Sequence, residues 1–380
     1  MSSLQQHPGC NPNCRACHYK TLNYPLQVER KQNWAGEKLE SWSDSLQQIV
    51  PAPGEEQIGY RNKSWLRCQY RDGEYSFGML RAASVGGKWI QEFISWDTCP
   101  VHSVAIQTVL RNLKRELHRL GSPEIAKSLL GIWIGTPHLV FVTSESVEDV
   151  IRRLDFSRLL VPPIDQVWFH HVNQIGRRVF GHREIISVFG SGFKRSHPIR
   201  AFRQVAGSLL REARADAVSE ILRVNPEFVL DLYSGTGELS CLLPAEVSWI
   251  GIEISKEASE FASLSDLEGR PFHLAYVGSV EHRLRDPIVL ERIRGTYVLY
   301  INPPRSGLGN EASAALKECI SQSRPTSVVY LSCSASSLAR DLRFFESCGF
   351  KVNRLQPYDF FPQTEHFETL AFLTDSLNPL

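Results

Sequence analysis

Hydrophobic positions along this chain change their period twice. Between Ile58 and Pro100 they alternate in short runs, Trp65–Tyr70, Tyr75–Leu80 and Lys88–Phe93, the signature of half-buried strands. Asp72-Gly73 and Gly86-Gly87 between the runs predict hairpin turns. Upstream, Leu26, Val28, Trp34, Leu39, Trp42, Leu46 and Ile49 stand among charged residues and predict one helix over Tyr24–Ile49, closed by Pro51 and Pro53-Gly54. Downstream, Val104–Leu120 has helical spacing with basic residues on one side, and Leu129–Thr143 and Gln166–Val172 predict further strands. From about Gly192 onward, unbroken apolar runs replace alternation: Phe228–Leu232, Trp249–Ile254, Phe272–Val277, Tyr297–Ile301, Val328–Leu331 and Thr369–Leu373. Such runs, separated by helical spacing, predict strands of a mostly parallel sheet covered on both faces. The expected architecture is a β-rich region over residues 1–190 and an α/β domain over residues 191–380.

The ends of those buried runs carry the chemistry. Val328–Leu331 leads into Ser332-Cys333-Ser334, then a helix resumes at Leu338. A cysteine at the carboxyl end of such a strand sits where open α/β sheets bind ligands, and its thiolate is the strongest nucleophile among side chains near neutral pH. The run Phe228–Leu232 ends in Asp231-Leu232-Tyr233-Ser234-Gly235-Thr236-Gly237-Glu238. The glycines permit close backbone approach to a ligand. Ser240 replaces the third glycine of a dinucleotide fingerprint, and Asp231 repels a pyrophosphate. A donor with a positive end and no phosphate, S-adenosylmethionine, fits instead. Glu253 stands 22 residues beyond Asp231 at the next strand end, near the ~20-residue offset of a ribose-binding acid. Gly278-Ser279 and Asn302-Pro303-Pro304-Arg305 close the following strands. Arg305 is positioned to reach a phosphate, and Glu365 or Glu368 supplies a base.

Cys10, Cys14 and Cys17 form C-x3-C-x2-C with little core around them, and Cys99 precedes Pro100. Four thiolates suit zinc or an iron–sulfur cluster, and local spacing favours zinc. The formal net charge is +1, so a nucleic-acid partner must be held by a local patch. Tyr60-Arg61-Asn62-Lys63 and the basic stretch Lys194–Arg214 are candidates. No apolar run reaches membrane-spanning length and no signal peptide is evident, so a cytoplasmic monomer is expected.

Asn302-Pro303-Pro304-Arg305, Ser332-Cys333-Ser334 and Phe361-Pro362-Gln363-Thr364-Glu365-His366-Phe367-Glu368 together resemble the RNA uracil-5-methyltransferase family, and Phe202-x-Gln204 and the N-terminal cysteines extend the likeness over nearly the whole chain. The resemblance implies a Rossmann-like S-adenosylmethionine-dependent methyltransferase domain behind a β-rich RNA-binding region. It implies Cys333 as nucleophile and Glu368 as base. Gln204, Tyr233, Glu253 and Asn302, with Glu238 and Ser279, become donor-site residues. It implies a 4Fe–4S cluster rather than zinc on Cys10, Cys14, Cys17 and Cys99. The pattern is most similar to 23S rRNA enzymes lacking an N-terminal oligonucleotide-binding barrel, with transfer RNA as the other substrate class. Ser334 replaces the usual Asn, and Ala206 stands where Asn usually follows Phe-x-Gln-Val. A cytosine-5-methyltransferase and a non-catalytic RNA-binding assembly factor are the rival readings.

Overall fold

The computed structural model describes residues 3–85, 88–144, 153–164, 166–171, 187–188, 194–195, 207–263 and 271–377. It forms two compact units, Met1–Tyr24 with Gly54–His197, and Pro25–Pro53 with Pro198–Leu380.

In the first unit β1 (Lys63–Arg71), β2 (Glu74–Val85), β3 (Lys88–Ser95), β4 (Leu129–Gly135), β5 (His138–Thr143) and β6 (Gln166–His171) make one sheet in the order β3-β2-β1-β4-β5-β6. Every pair is antiparallel except β5–β6. Asp72 and Gly73, both at positive φ, make the tight turn between β1 and β2 that right-twisted strands favour. The helix Val104–Leu120 buries Ile106, Val109, Leu110, Leu113 and Leu117 against Leu66, Phe77, Ile132 and Ile134 of the sheet. Ser103 caps its start through the Ile106 amide, and Gly121 ends it in the left-handed region, as such termini require. A short pair, β7 (Ser187–Val188) and β8 (Lys194–Arg195), follows.

In the second unit β9 (Phe228–Leu232), β10 (Ser248–Glu253), β11 (His273–Val277), β12 (Tyr297–Ile301), β13 (Ser327–Ser332), β14 (Phe350–Tyr358) and β15 (Glu368–Asp375) run in the order β11-β10-β9-β12-β13-β15-β14. The first five are mutually parallel; β15 is antiparallel to both of its neighbours. Progression from β9 to β11 goes one way across the sheet and from β12 to β13 the other. The carboxyl ends of β9 and β12 therefore flank a switch point, where open α/β sheets bind ligands. The sequence pattern misses β14, because Asn353, Arg354 and Pro357 break its apolar run at the sheet edge.

The segment Pro25–Pro53 packs into the second unit, and its expected single helix is shorter. The helix spans Tyr24–Lys38, and Glu40–Ser45 forms a 3-10 turn with Trp42 non-helical. Ser-Trp-Ser-Asp-Ser is poor helix-forming material. Tertiary partners take over: the Trp42 indole donates to Glu346 Oε1 at 2.6 Å, and Leu46 and Val50 bridge to Leu355 and Tyr358 of β14. Ala35, Leu39, Trp42 and Ile49 join the core of the seven-stranded sheet. Gln27 and Gln363 are paired reciprocally, the Gln27 side chain donating to Gln363 Oε1 and accepting from the Gln363 amide. Lys31, fully buried, donates to Asp359 Oδ1 at 2.5 Å and to the Phe361 carbonyl at 3.0 Å. Among the described residues no helix is long and apolar enough to cross a membrane.

Lys31→Met leaves Asp359 buried without its cation. We expect a loss of about 3–5 kcal/mol of stability, the usual cost of breaking a buried pair from one side, read as a fall in urea midpoint. An unchanged midpoint would contradict the bracing role.

Candidate active site

Four chain segments meet at the switch-point edge. The first is the turn after β9. Tyr233, Gly235 and Gly237 all take positive φ, and a Cβ built on Gly235 meets nothing within 4 Å, so the backbone there faces open space that a ligand can enter. Glu253, at the end of β10, fixes this turn: its two carboxylate oxygens accept from the Gly235 amide at 2.9 Å and the Ser255 amide at 2.8 Å. Each oxygen keeps a second lone pair. Asp231 lies beneath the turn, buried, and accepts from the Trp249 indole at 3.1 Å. Gly251 lets that indole lie across β10, since a Cβ there would stand 2.2 Å from the ring. Asp231 Oδ1, Ser234 Oγ and Thr236 Oγ1 are buried and have no partner among the described residues, a set of polar atoms that fits a polar ligand at the turn. Burial pushes the Asp231 carboxyl up to about 8, with Trp249 opposing and Glu253 adding to the shift.

The second segment follows β12. The Asn302 amide donates to the Leu232 carbonyl at 3.3 Å, which ties the two strand ends together. The loop beyond it is anchored by Asp341, whose Oδ2 accepts from the Leu308 amide at 2.9 Å and the Tyr330 hydroxyl at 2.6 Å. Tyr233 Oη donates to the Leu308 carbonyl at 3.5 Å. Ser279 opens the short helix Val280–Arg283 after β11, and Glu238 is paired with Arg214 of the helix Ser208–Arg223. Gln204, with Phe202, Arg203 and Ala206, lies outside the described residues.

The third and fourth segments are the end of β13 and the start of β15. Because β15 runs antiparallel, with Ser332 opposite Thr369, Glu368 begins where Cys333 follows the end of β13. Cys333 is half-buried. Burial pushes its thiol up to about 11, with Glu368 raising it further, while the Arg305 guanidinium beside it and hydrogen-bonded to it pulls it down. Arg305, expected to face a phosphate, is thus turned toward the sulfur. Glu368 is buried and its Oε2 has no partner among the described residues. Burial raises its carboxyl to about 8, with Arg305 opposing.

Sequence reasoning missed Tyr300. It is buried on β12 directly opposite Asp231, and burial raises its phenol, with Asp231 adding to the shift, Arg214 opposing it, and Glu368 and Glu238 adding. Only its alternation with Asn302 along the strand could have signalled that its side chain shares the Asp231 face.

The N-terminal cysteines are brought together in the first unit. Burial pushes Cys17 up to about 12, and the sulfurs of Cys99, Cys14 and Cys10 add to the shift against the Arg61 charge. No three of the four sulfurs lie within 4.8 Å of one another. Tetrahedral zinc at its usual Zn–S length would hold them about 3.8 Å apart. In the loop Tyr60–Lys63, expected to be an RNA contact, Tyr60 is buried and Arg61 lies near the cysteines and 5.9 Å from the Trp96 ring centroid, while Asn62 is exposed and Lys63 half-buried.

A seven-stranded sheet of this order, with a glycine turn at β9 and a cysteine and a carboxyl at its far side, defines a nucleoside-donor methyltransferase. The sequence profile of the family described as tRNA (Uracil-5-)-methyltransferase matches residues 183–376, a little over half of the chain, and the chain belongs to that family. It is an S-adenosylmethionine-dependent RNA (uracil-5-)-methyltransferase. The chain is 28% identical to the 23S rRNA (uracil(747)-C(5))-methyltransferase RlmC of Halothiobacillus neapolitanus over 95% of this chain and 96% of that protein. It is 25% identical to an uncharacterized RNA methyltransferase of Clostridium acetobutylicum over 95% of this chain and 81% of the relative. The crystal structure of Pyrococcus abyssi tRNA (uracil-54, C5)-methyltransferase in complex with S-adenosyl-L-homocysteine shares the fold, with a TM-score of 0.68 and 18% identity over 96% of this chain and 87% of that one.

The Glu368 carboxyl gives a pH signature. Its folded value of about 8 exceeds the ordinary 4.5. Between those values the native protein keeps a proton that the unfolded chain releases, so this group's contribution makes stability fall as pH rises. Glu368→Gln carries no such charge. Its stability relative to wild type should rise from pH 5 to pH 8, read by thermal unfolding at both pH values; a constant difference would contradict the buried, proton-holding carboxyl.

Proposed function

We propose that this enzyme methylates C5 of one specific uridine in 23S rRNA through a covalent bond between Cys333 and C6. The juxtaposition of Cys333, Arg305 and Glu368 at the switch-point edge carries this reading. Arg305 stabilises the thiolate. Cys333 adds to C6, forming an S–C6 bond and moving the ring's π electrons onto C5 and O4. C5 then takes the methyl group of S-adenosylmethionine, releasing S-adenosylhomocysteine. Glu368 removes the C5 proton, and the freed electron pair expels the Cys333 thiolate from C6. A carboxyl poised near neutral pH suits proton removal. The Gly235 turn, Glu253 and Asn302, with Tyr233, Glu238, Ser279 and Gln204, hold the donor. The target base is unstacked to reach the sulfur. Ribosomal RNA as substrate is supported by the likeness to RlmC over nearly both whole chains, and a cytoplasmic site of action goes with it.

Cys10, Cys14, Cys17 and Cys99 hold a 4Fe–4S cluster in this reading. Arg61 with Lys20 offsets the charge of four thiolates. The cluster ties residues 10–17 to the turn after β3; the methyl transfer itself moves no electron from the protein.

RNA containing 5-fluorouracil tests the covalent step, because C5 then bears fluorine instead of the proton Glu368 removes. Wild type should form a denaturant-stable adduct with RNA and donor, and Cys333→Ala should form none. A Cys333→Ala adduct would overturn the assignment. Mapping the methylated position in RNA from cells lacking the protein separates 23S rRNA, transfer RNA and methylcytosine. For the cluster, anaerobically purified protein should contain about four irons and four sulfides per chain, lost in Cys99→Ser; one zinc without sulfide would refute it.

A further inference from the structure

The sheet of the first unit has two unlike faces. The inner face carries Leu66, Phe77, Ile132, Ile134 and Phe141 into the core. On the outer face strand register places Trp65, Trp133, Val140 and Trp168 in one cross-strand row. Trp65 is 39% exposed, an unusual state for so large an apolar ring. In the neighbouring row Arg67 of β1 stands between Gly78 of β2 and Gly131 of β4. A Cβ on either glycine would lie 2.0 Å from the Ile94 carbonyl or 2.4 Å from the Leu66 carbonyl. Both positions are thus held free of side chains, and the exposed Arg67 stands between two buried glycines.

Cations accompany the rings. Lys63 Nζ lies 4.3 Å from the Trp133 centroid, and the Arg67 guanidinium 5.7 Å from that of Trp65. From Lys63 to Gln69, the outward positions of β1 and their partners on β2 and β4 are Lys63, Trp65, Arg67, Gln69, Gly135, Trp133, Gly131, Gly78 and Ser76, none of them acidic. An exposed Trp65 indole, with half-buried Trp133 and Trp168 in its row and cations beside the rings, suits splayed bases and their phosphates, because every base has a face to stack and every nucleotide a charge to pair. Duplex RNA hides its base faces and lacks that match.

We propose that this outer face, centred on Trp65 and Arg67, binds a single-stranded stretch of the substrate RNA by stacking and phosphate pairing. The proposal rests on RNA being the substrate. A second basic surface competes: a cavity of about 730 Å³ lined by Arg111, Lys114, Arg115 and Arg119 beside the helix Val104–Leu120. There Lys114 is paired with Asp97 and Arg119 with Glu116, Glu74 and Asp97 share the lining, and His118 is the ring it offers for stacking.

The test measures binding of a labelled 12-nucleotide single-stranded RNA and a duplex of the same length to the full chain without methyl donor, so that binding is read apart from catalysis. Trp65→Ala and Arg67→Ala should each weaken single-strand binding by about tenfold, the scale of one lost stacking or phosphate contact. Trp65→Phe should restore most of it, and duplex binding should change little. Arg67 is exposed, so its variant remains informative if Trp65→Ala misfolds. Unchanged affinity in the Arg67 and folded Trp65 variants, or loss only in Arg111→Ala with Arg115→Ala, would overturn the proposal. Failure of wild type to methylate any RNA would instead remove the parent reading.

Discussion

The reversed direction of β15 governs the second unit. Parallel strands all leave the sheet at one edge, and a strand running against them enters there. That geometry sets the Glu368 carboxyl beside the Cys333 sulfur although 34 residues of helix, edge strand and loop separate them. Had the sheet been parallel throughout, the end of β15 and not its start would have lain at this edge, and Glu368 would have been at the far end of the strand from Cys333. The antiparallel strand also buries Glu368 against its neighbours, and that burial sets the proton affinity of the carboxyl.

Two carboxyls are buried at this edge, Asp231 and Glu368, and both are pushed up to about 8. Their roles differ through what stands beside them. Asp231 has a neutral indole donor in Trp249 and no ion pair among the described residues, so a positively charged donor molecule would supply compensation there. Glu368 shares Arg305 with the thiol, so charge on sulfur and charge on carboxylate compete for one guanidinium. Arg305 therefore favours whichever of the two is ionised at a given step. The proposed reaction uses them ionised in turn.

Much of this was legible in the sequence because strand ends bear the chemistry, and buried parallel strands are plain as apolar runs. Asp231, Gly235, Glu253, Asn302 and Cys333 each follow such a run. What was not legible depended on partners distant in sequence. Arg305 reads as a phosphate ligand in isolation; only the adjacency of β12 and β13 turns it toward sulfur. Tyr300 looks like one more apolar strand residue until register sets it opposite Asp231. The helix predicted to Ile49 stops at Lys38 because Leu46 and Val50 pair with β14, an edge strand whose Pro357 and Asn353 hid it from the pattern. The loop at Tyr60 has the composition of an RNA contact, yet Arg61 turns inward toward the four sulfurs.

The chain passes from one unit to the other three times, after Tyr24, after Pro53 and after His197. A protein emerging from the ribosome in that order releases Lys31 long before Asp359, 328 positions later. The early segment must remain without its permanent partner through most of translation, its apolar stripe of Ala35, Leu39 and Trp42 open to solvent or to a chaperone. The second unit closes only when its last strands arrive, so the loop that leads into Glu368 is seated by the oldest part of that unit after six of the seven strands of its sheet have been made.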